Sequence, residues 1–163
     1  MSVRPSVSKD VDSFDHRSSG YEQSFLQGFF FDRVHQAALS LLPADVHPGS
    51  ILDIGCGTGR LLRKAASRWP EAQLIGVDPA EGMIAVAHQQ TPHGTFYISM
   101  AESLPLPDAS VDLVLSTASF HHWADQAEGV RQVARALRAG GYFCLADIVP
   151  PYGGLEESMT HYA

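Results

Sequence analysis

Short apolar runs bounded by Gly, Pro and Asp alternate along this chain with longer stretches whose apolar residues recur every three or four positions. From Tyr21 to Leu42 the residues Phe25, Leu26, Phe29, Phe30, Val34, Ala37, Ala38 and Leu41 keep helical spacing until Pro43, which predicts an amphipathic helix with an aromatic first half. Ser50 to Ile54, bounded by Pro48-Gly49 and Gly55, reads as a buried strand. Leu61, Leu62, Ala65, Ala66 and Trp69 mark a helix that stops at Pro70, and Gln73 to Val77 a second strand. Ala80 to Gln90 is a predicted helix, Thr95 to Ile98 a strand, and Val111 to Ser116 another after a Pro-punctuated loop. Ala124 to Ala139 is the last clear helix, expected to end in a left-handed cap at Gly140-Gly141, and Tyr142 to Ala146 is the fifth strand. Strands alternating with helices imply right-handed βαβ crossovers, hence an α/β fold with a doubly wound, mainly parallel sheet in three layers. The pattern ends after the fifth strand, with Leu155 to Ala163 beginning one more helix.

Composition narrows the function without naming it. The chain of 163 residues is 45% apolar and 18% charged, a size and balance that fit one globular domain over 21–163 behind a polar arm over 1–20. Eleven Lys and Arg against eighteen Asp and Glu give a net charge of −7, which disfavours a phosphate backbone as partner. A small-molecule substrate is expected instead, with no nucleic acid and no membrane. Neither a long apolar span nor a secretory apolar stretch occurs, so a cytoplasmic protein is expected. Cys56 and Cys144 each lie in or beside an apolar run and read as small buried residues; no Cys or His spacing supports a metal.

The chemistry concentrates at the end of the first strand, in Leu52-Asp-Ile-Gly-Cys-Gly-Thr-Gly59. Gly55, Gly57 and Gly59 clear side chains from one turn, so the backbone can approach a ligand. The spacing G-C-G-T-G is not the dinucleotide fingerprint G-x-G-x-x-G, and the P-loop lysine is absent. A nicotinamide-dependent oxidoreductase would share the turn but calls for that other spacing. Asp53, two residues before the first glycine, would repel a pyrophosphate and suits a ligand carrying an ammonium group. Asp78 ends the second strand, where a carboxylate accepts hydrogen bonds from ribose hydroxyls or caps the helix after Pro79.

Five segments in order resemble the class I S-adenosylmethionine-dependent methyltransferases, specifically the methyltransferase type 11 group. They are the glycine turn above, Gly76-Val-Asp-Pro-Ala-Glu-Gly-Met83, Ala101-Glu-Ser-Leu-Pro-Leu-Pro-Asp-Ala-Ser-Val-Asp-Leu-Val114, Phe120-His-His-Trp123 and Arg135-Ala-Leu-Arg-Ala-Gly-Gly-Tyr-Phe143. The resemblance spans about residues 48–148. It implies a Rossmann-like fold, S-adenosylmethionine as cofactor and methyl transfer by in-line displacement. The glycine turn would hold the methionine part of the cofactor with Asp53 near its amino group, and Asp78 beside Pro79 the ribose. Met83 would pack near the adenine, and Ala101 and Glu102 would contact its edge. Ser116 and Thr117 would lie near the sulfonium, and Tyr21 would close over the cofactor.

The sequence departs from the group's pattern at two places. Met100 stands where the group usually has an Asp that accepts from the adenine amino group. Only about fifteen residues follow Ala146, where the group continues into two more strands, which points to a fragment or to self-association through an open sheet edge. A non-catalytic cofactor-binding module is the alternative these departures suggest. His121 and His122, after the fourth strand, are the candidate general bases, and their other reading is a turn that packs and caps the next helix. His16, His35 and His47 read as solvated or locally hydrogen-bonded.

Overall fold

The computed structural model describes residues 25–147, with side chains from Phe31 onward. The predicted arm over 1–20, Tyr21 and the segment after Asp147 lie outside the described residues. Helix α1 spans Phe25–Leu41, followed by β1 (Ser50–Ile54), α2 (Arg60–Arg68), β2 (Gln73–Asp78), α3 (Glu81–Gln90) and β3 (Thr95–Ile98). A 3₁₀ turn at Ala101–Ser103 leads to β4 (Val111–Thr117), a second at Phe120–His122 to α4 (Gln126–Ala136), and β5 covers Leu137–Ala146. The five strands are all parallel in the order β3-β2-β1-β4-β5. The order reverses at β1, so the crevice beyond the C-terminal ends of β1, β2 and β4 is where such a sheet takes a ligand.

Every residue of β1 is buried, which explains its unbroken apolar reading. Alternate residues of the central strands feed two cores. Ile51, Leu113 and Leu115 pack with Leu61, Leu62 and Ala65 of α2 and with Ala38 of α1. On the other face Leu52, Ile54 and Val77 pack with Val133 and Ala136 of α4. Each fully buried Leu or Ile contributes on the order of 1.5–3 kcal/mol, so these layers hold the crevice rigidly. At the opposite end of the sheet Asp112 accepts from Ser50 N (2.9 Å) and Gly49 N (3.0 Å), while Arg138 Nη1 donates to it at 2.7 Å. That clamp ties β1, β4 and β5 together far from the crevice.

The structure corrects the α4–β5 boundary. The helix runs from Gln126 to Ala136, not Ala124 to Ala139, and no glycine cap ends it. Asp125 caps its start by accepting from Glu128 N at 3.0 Å. At the other end Leu137 is already extended and paired with Val111, and the next paired residues are Leu113 and Tyr142. Residues 138–141 therefore bulge opposite Asp112, and the positive φ of Gly140 (81°) belongs to that bulge. Pairing with β4 overrides the helical pattern of Arg135-Ala-Leu-Arg-Ala139. Among the described residues no helix is long and apolar enough to cross a membrane.

Candidate active site

The ends of β1, β2 and β4 open into one cleft. Its floor begins where β1 meets the glycine turn. Gly55 N and Cys56 N both donate to Val77 O, at 2.8 and 3.1 Å, which folds the turn back against β2. Gly55 has φ 73°, and a Cβ there would stand 2.0 Å from Ser119 Oγ, so the turn and the loop after β4 touch through its missing side chain. Gly57 has φ 51°, and a Cβ on it would meet nothing within 4 Å. Its bare backbone faces the open cleft.

Asp78 holds this turn in place. Its Oδ2 accepts from Gly57 N at 2.9 Å and its Oδ1 from Ala80 N at 2.9 Å, joining the glycine turn to the start of α3. The helix-entry reading of Asp78 is carried by the bond to Ala80 N, and the same side chain lines the cleft.

Asp53 is 1% exposed, and its Oδ1 has no hydrogen-bond partner. Burial, and then the negative charge of Asp78, push its carboxyl up to about 8. At neutral pH it is then a protonated acid with an unused oxygen. A cation delivered to it would restore the charge and satisfy that oxygen.

This carboxyl makes a stability prediction whose sign is definite. Its folded-state pKa lies above the unfolded value near 3.8, so between about pH 4 and pH 8 the folded state binds a proton that the unfolded state has lost. Stability therefore falls as pH rises through that window and levels off above it. Asp53→Asn removes the effect, and the variant should be more stable than the native chain at pH 7 by on the order of 2–4 kcal/mol, with the gap closing toward pH 4. Thermal midpoints of both proteins against pH check this. A constant gap across the window would show that Asp53 does not titrate as described.

Of the predicted site residues, Asp53, Gly55, Gly57, Asp78, Pro79, Met83, Met100, Ala101, Glu102, Thr117 and His122 line the cleft. Three others do not. Gly59 caps the start of α2 and packs against Ala87 and Phe96. Ser116 is fully buried. His121 is turned to Asp147, whose Oδ2 accepts from its backbone N–H at 2.8 Å and whose Oδ1 lies 2.7 Å from Nδ1. The helix-capping reading of the His-His-Trp turn is replaced by Asp125, as described above. Glu102 lines the cleft and also accepts from Asp125 N at 2.8 Å, fastening the 3₁₀ turn to α4.

The reading of His35 as solvated or locally hydrogen-bonded is corrected. It is 7% exposed, lines the cleft and leaves Nδ1 without a partner. Phe31, Thr58, Arg60, Ser119 and Trp123 also line the cleft and were not anticipated. Helical spacing marks the inner face of α1 but not which of its residues overhang the glycine turn. Among the described residues no three His, Cys, Asp or Glu side chains are arranged to hold a metal.

Residues 52–145 match the family described as a methyltransferase domain. The chain belongs to the class I S-adenosylmethionine-dependent methyltransferases. A malonyl-(acyl-carrier protein) O-methyltransferase of Geobacter sulfurreducens is 38% identical over 118 residues, covering 70% of this chain and 44% of that protein. A demethylmenaquinone methyltransferase of Thermotoga maritima is 27% identical over 107 residues, covering 66% and 47%. Among solved structures, an S-adenosylmethionine-dependent methyltransferase of Thermotoga maritima superposes with a TM-score of 0.65 and 31% identity, over 81% of this chain and 58% of that one. The chain thus spans less than half the length of these two curated relatives.

The methyltransferase cofactor fits the cleft by two features of this chain. S-adenosylmethionine presents an ammonium group, which answers the buried oxygen of Asp53 that lacks a partner. The open side of Gly57 leaves room for a ligand against the turn.

Proposed function

We propose that the chain binds S-adenosylmethionine in this cleft and catalyses methyl transfer to a small-molecule acceptor entering beside the end of β4. The observation that carries the reading is Asp53, a buried carboxyl with an unused oxygen at the head of the glycine turn. A carboxylate so placed costs stability, and an ammonium-bearing ligand is what offsets that cost.

The cofactor supplies a methyl carbon already activated by its sulfonium leaving group. The protein's part is to align and to exclude water. Asp53 takes the ammonium, Asp78 accepts from the ribose hydroxyls, and Ala101 with Glu102 borders the adenine. Met83, which is buried, packs beneath it. Met100 offers no charged acceptor to the adenine amino group, so adenine recognition falls to backbone groups and packing.

For an acceptor that must lose a proton, the base belongs to the Phe120–His122 turn. His122 lines the cleft, and His121 stands against it with ring centroids 3.9 Å apart and its Nδ1 beside Asp147. His122→Ala should lower kcat about 100-fold for such an acceptor while S-adenosylhomocysteine affinity changes less than about twofold. Steady-state rates with calorimetry on the same variant check it, and an unchanged kcat would remove His122 from the chemistry.

The test of the activity itself is S-adenosylhomocysteine formation by the purified chain against a panel of phenols, amines and carboxylic acids. Acceptor-dependent formation supports transfer. Tight cofactor binding without any turnover supports the second reading, a binding module, which Met100 favours. The acidic net charge favours a small acceptor over a nucleic acid, and the two unpaired thiols suit a reducing compartment such as the cytoplasm. β5 is one of the two edge strands of the described sheet, and pairing of two copies along it is the proposed route to a homodimer, checked by gel filtration over a concentration series.

A further inference from the structure

The histidine turn after β4 is fastened from behind by the residue that follows β5. Ala118, at φ 50°, swings the chain out of β4, and its N–H donates to Ala146 O at 2.8 Å. The next residue, Asp147, turns both carboxylate oxygens to His121: Oδ2 accepts from the backbone N–H at 2.8 Å, and Oδ1 lies 2.7 Å from Nδ1. The carboxylate is the inner partner of the pair, its side chain 17% exposed against 43% for His121. On the other side of the turn Gln126 Nε2 donates to Phe120 O at 3.1 Å. Held in this way, the His121 ring backs the ring of His122, which lines the cleft, with the two centroids 3.9 Å apart. The count of donors fixes the tautomer of His121. A backbone N–H can only donate and a carboxylate can only accept, so Nδ1 carries the hydrogen and the neutral ring keeps its lone pair at Nε2. A clamp on the loop needs no more than the backbone bond. The second oxygen adds a fixed ring orientation and a negative charge behind the two packed imidazoles.

We propose that Asp147 is a positioning residue for proton removal from the methyl acceptor, acting through His121 on His122. The inference rests on the methyltransferase reading above and deepens it for acceptors that lose a proton. His122 takes that proton as the acceptor oxygen or nitrogen forms its bond to the methyl carbon and the carbon–sulfur bond breaks. The positive charge thus moves from sulfur to the imidazole of His122, and the proton afterwards leaves to water. Asp147, one ring behind, supplies the negative charge that meets this cation as it forms, and the ring it pins keeps His122 turned into the cleft.

Asp147→Asn separates this role from a structural one. The amide keeps one acceptor for the His121 N–H but turns its NH2 to Nδ1, so the ring hydrogen moves to Nε2 and the charge is lost. Imidazole nitrogen NMR of the full chain should show His121 with its hydrogen on Nδ1 in the native protein and on Nε2 in the variant. With a phenol or amine of the acceptor panel, kcat should fall about 30-fold, while KM and S-adenosylhomocysteine affinity change less than about twofold. A carboxylate acceptor, which has no proton to lose, should react at an unchanged rate. Asp147→Glu, which restores the charge, should recover most of the lost rate. A native His121 with its hydrogen on Nε2, an unchanged kcat in Asp147→Asn, or turnover confined to carboxylates overturns the role of Asp147 and leaves the methyltransferase reading standing. Cofactor binding without turnover of any acceptor overturns that reading and the proposal with it.

Discussion

Asp78→Ala is expected to weaken S-adenosylhomocysteine binding by about 100-fold or more, the largest loss of any single polar substitution in the cleft. Two effects add. The variant loses the carboxylate proposed to meet the ribose hydroxyls, and it releases Gly57 N and Ala80 N, both held at 2.9 Å in the native chain. The glycine turn is then no longer fixed to the start of α3, so the part of the cleft proposed to hold the methionine end loosens as well. Stability should fall by roughly 1–2 kcal/mol, the usual cost of leaving part-buried backbone donors without their acceptor. Asp78→Asn keeps one acceptor oxygen and should be intermediate in both respects. Calorimetry with a thermal midpoint on each variant separates the two losses, and an Asp78→Ala chain that binds like the native one would remove this residue from the site.

Gly55→Ala should be the most destabilising small substitution at the site, by roughly 2–4 kcal/mol. The added Cβ would lie 2.0 Å from Ser119 Oγ and 2.5 Å from Ser119 Cβ, at a φ of 73° that L residues rarely adopt. The turn cannot simply yield, because Gly55 N and Cys56 N are tied to Val77 O. The double variant Gly55→Ala with Ser119→Gly should recover the part of the loss due to contact and retain the part due to φ. Gly57→Ala makes the contrast. Its Cβ meets no protein atom within 4 Å, so the folded state bears only the backbone strain, about 1 kcal/mol, yet the methyl group enters the cleft and should displace ligand. Denaturant midpoints and ligand titrations on the three variants read both quantities. A Gly57→Ala chain as destabilised as Gly55→Ala would contradict this division of labour between the glycines.

The fold was legible where burial and element type agree. β1 and β4 lie almost wholly inside the sheet, so they read as continuous apolar runs with sharp borders. The α4–β5 boundary was not, because the extended state of Leu137 comes from its pairing with Val111, a partner 26 residues earlier that no local pattern announces. Site residues followed the same rule. The glycine turn and Asp78 are fixed by backbone geometry at strand ends, and their spacing carries the signal. Within that same motif Gly59 turns to the core and supports α2, which spacing alone does not distinguish from Gly57. Ser116 and Thr117 are adjacent in β4 and point to opposite sides, so only Thr117 reaches the cleft. His35 was out of reach for a different reason. Its burial and its lack of a partner arise from the crossing of α1 over α2, a tertiary event between segments that each look ordinary.

The proposed binding of S-adenosylmethionine in this cleft rests on Asp53, the glycine turn and Asp78. Calorimetric titration of the purified 163-residue chain with S-adenosylmethionine and S-adenosylhomocysteine tests it most directly, with Asp78→Ala as the control. Micromolar binding of both ligands at about one per chain, lost in the variant, is the expected result. Absence of binding by a natively folded chain, or equal binding by Asp78→Ala, would contradict it.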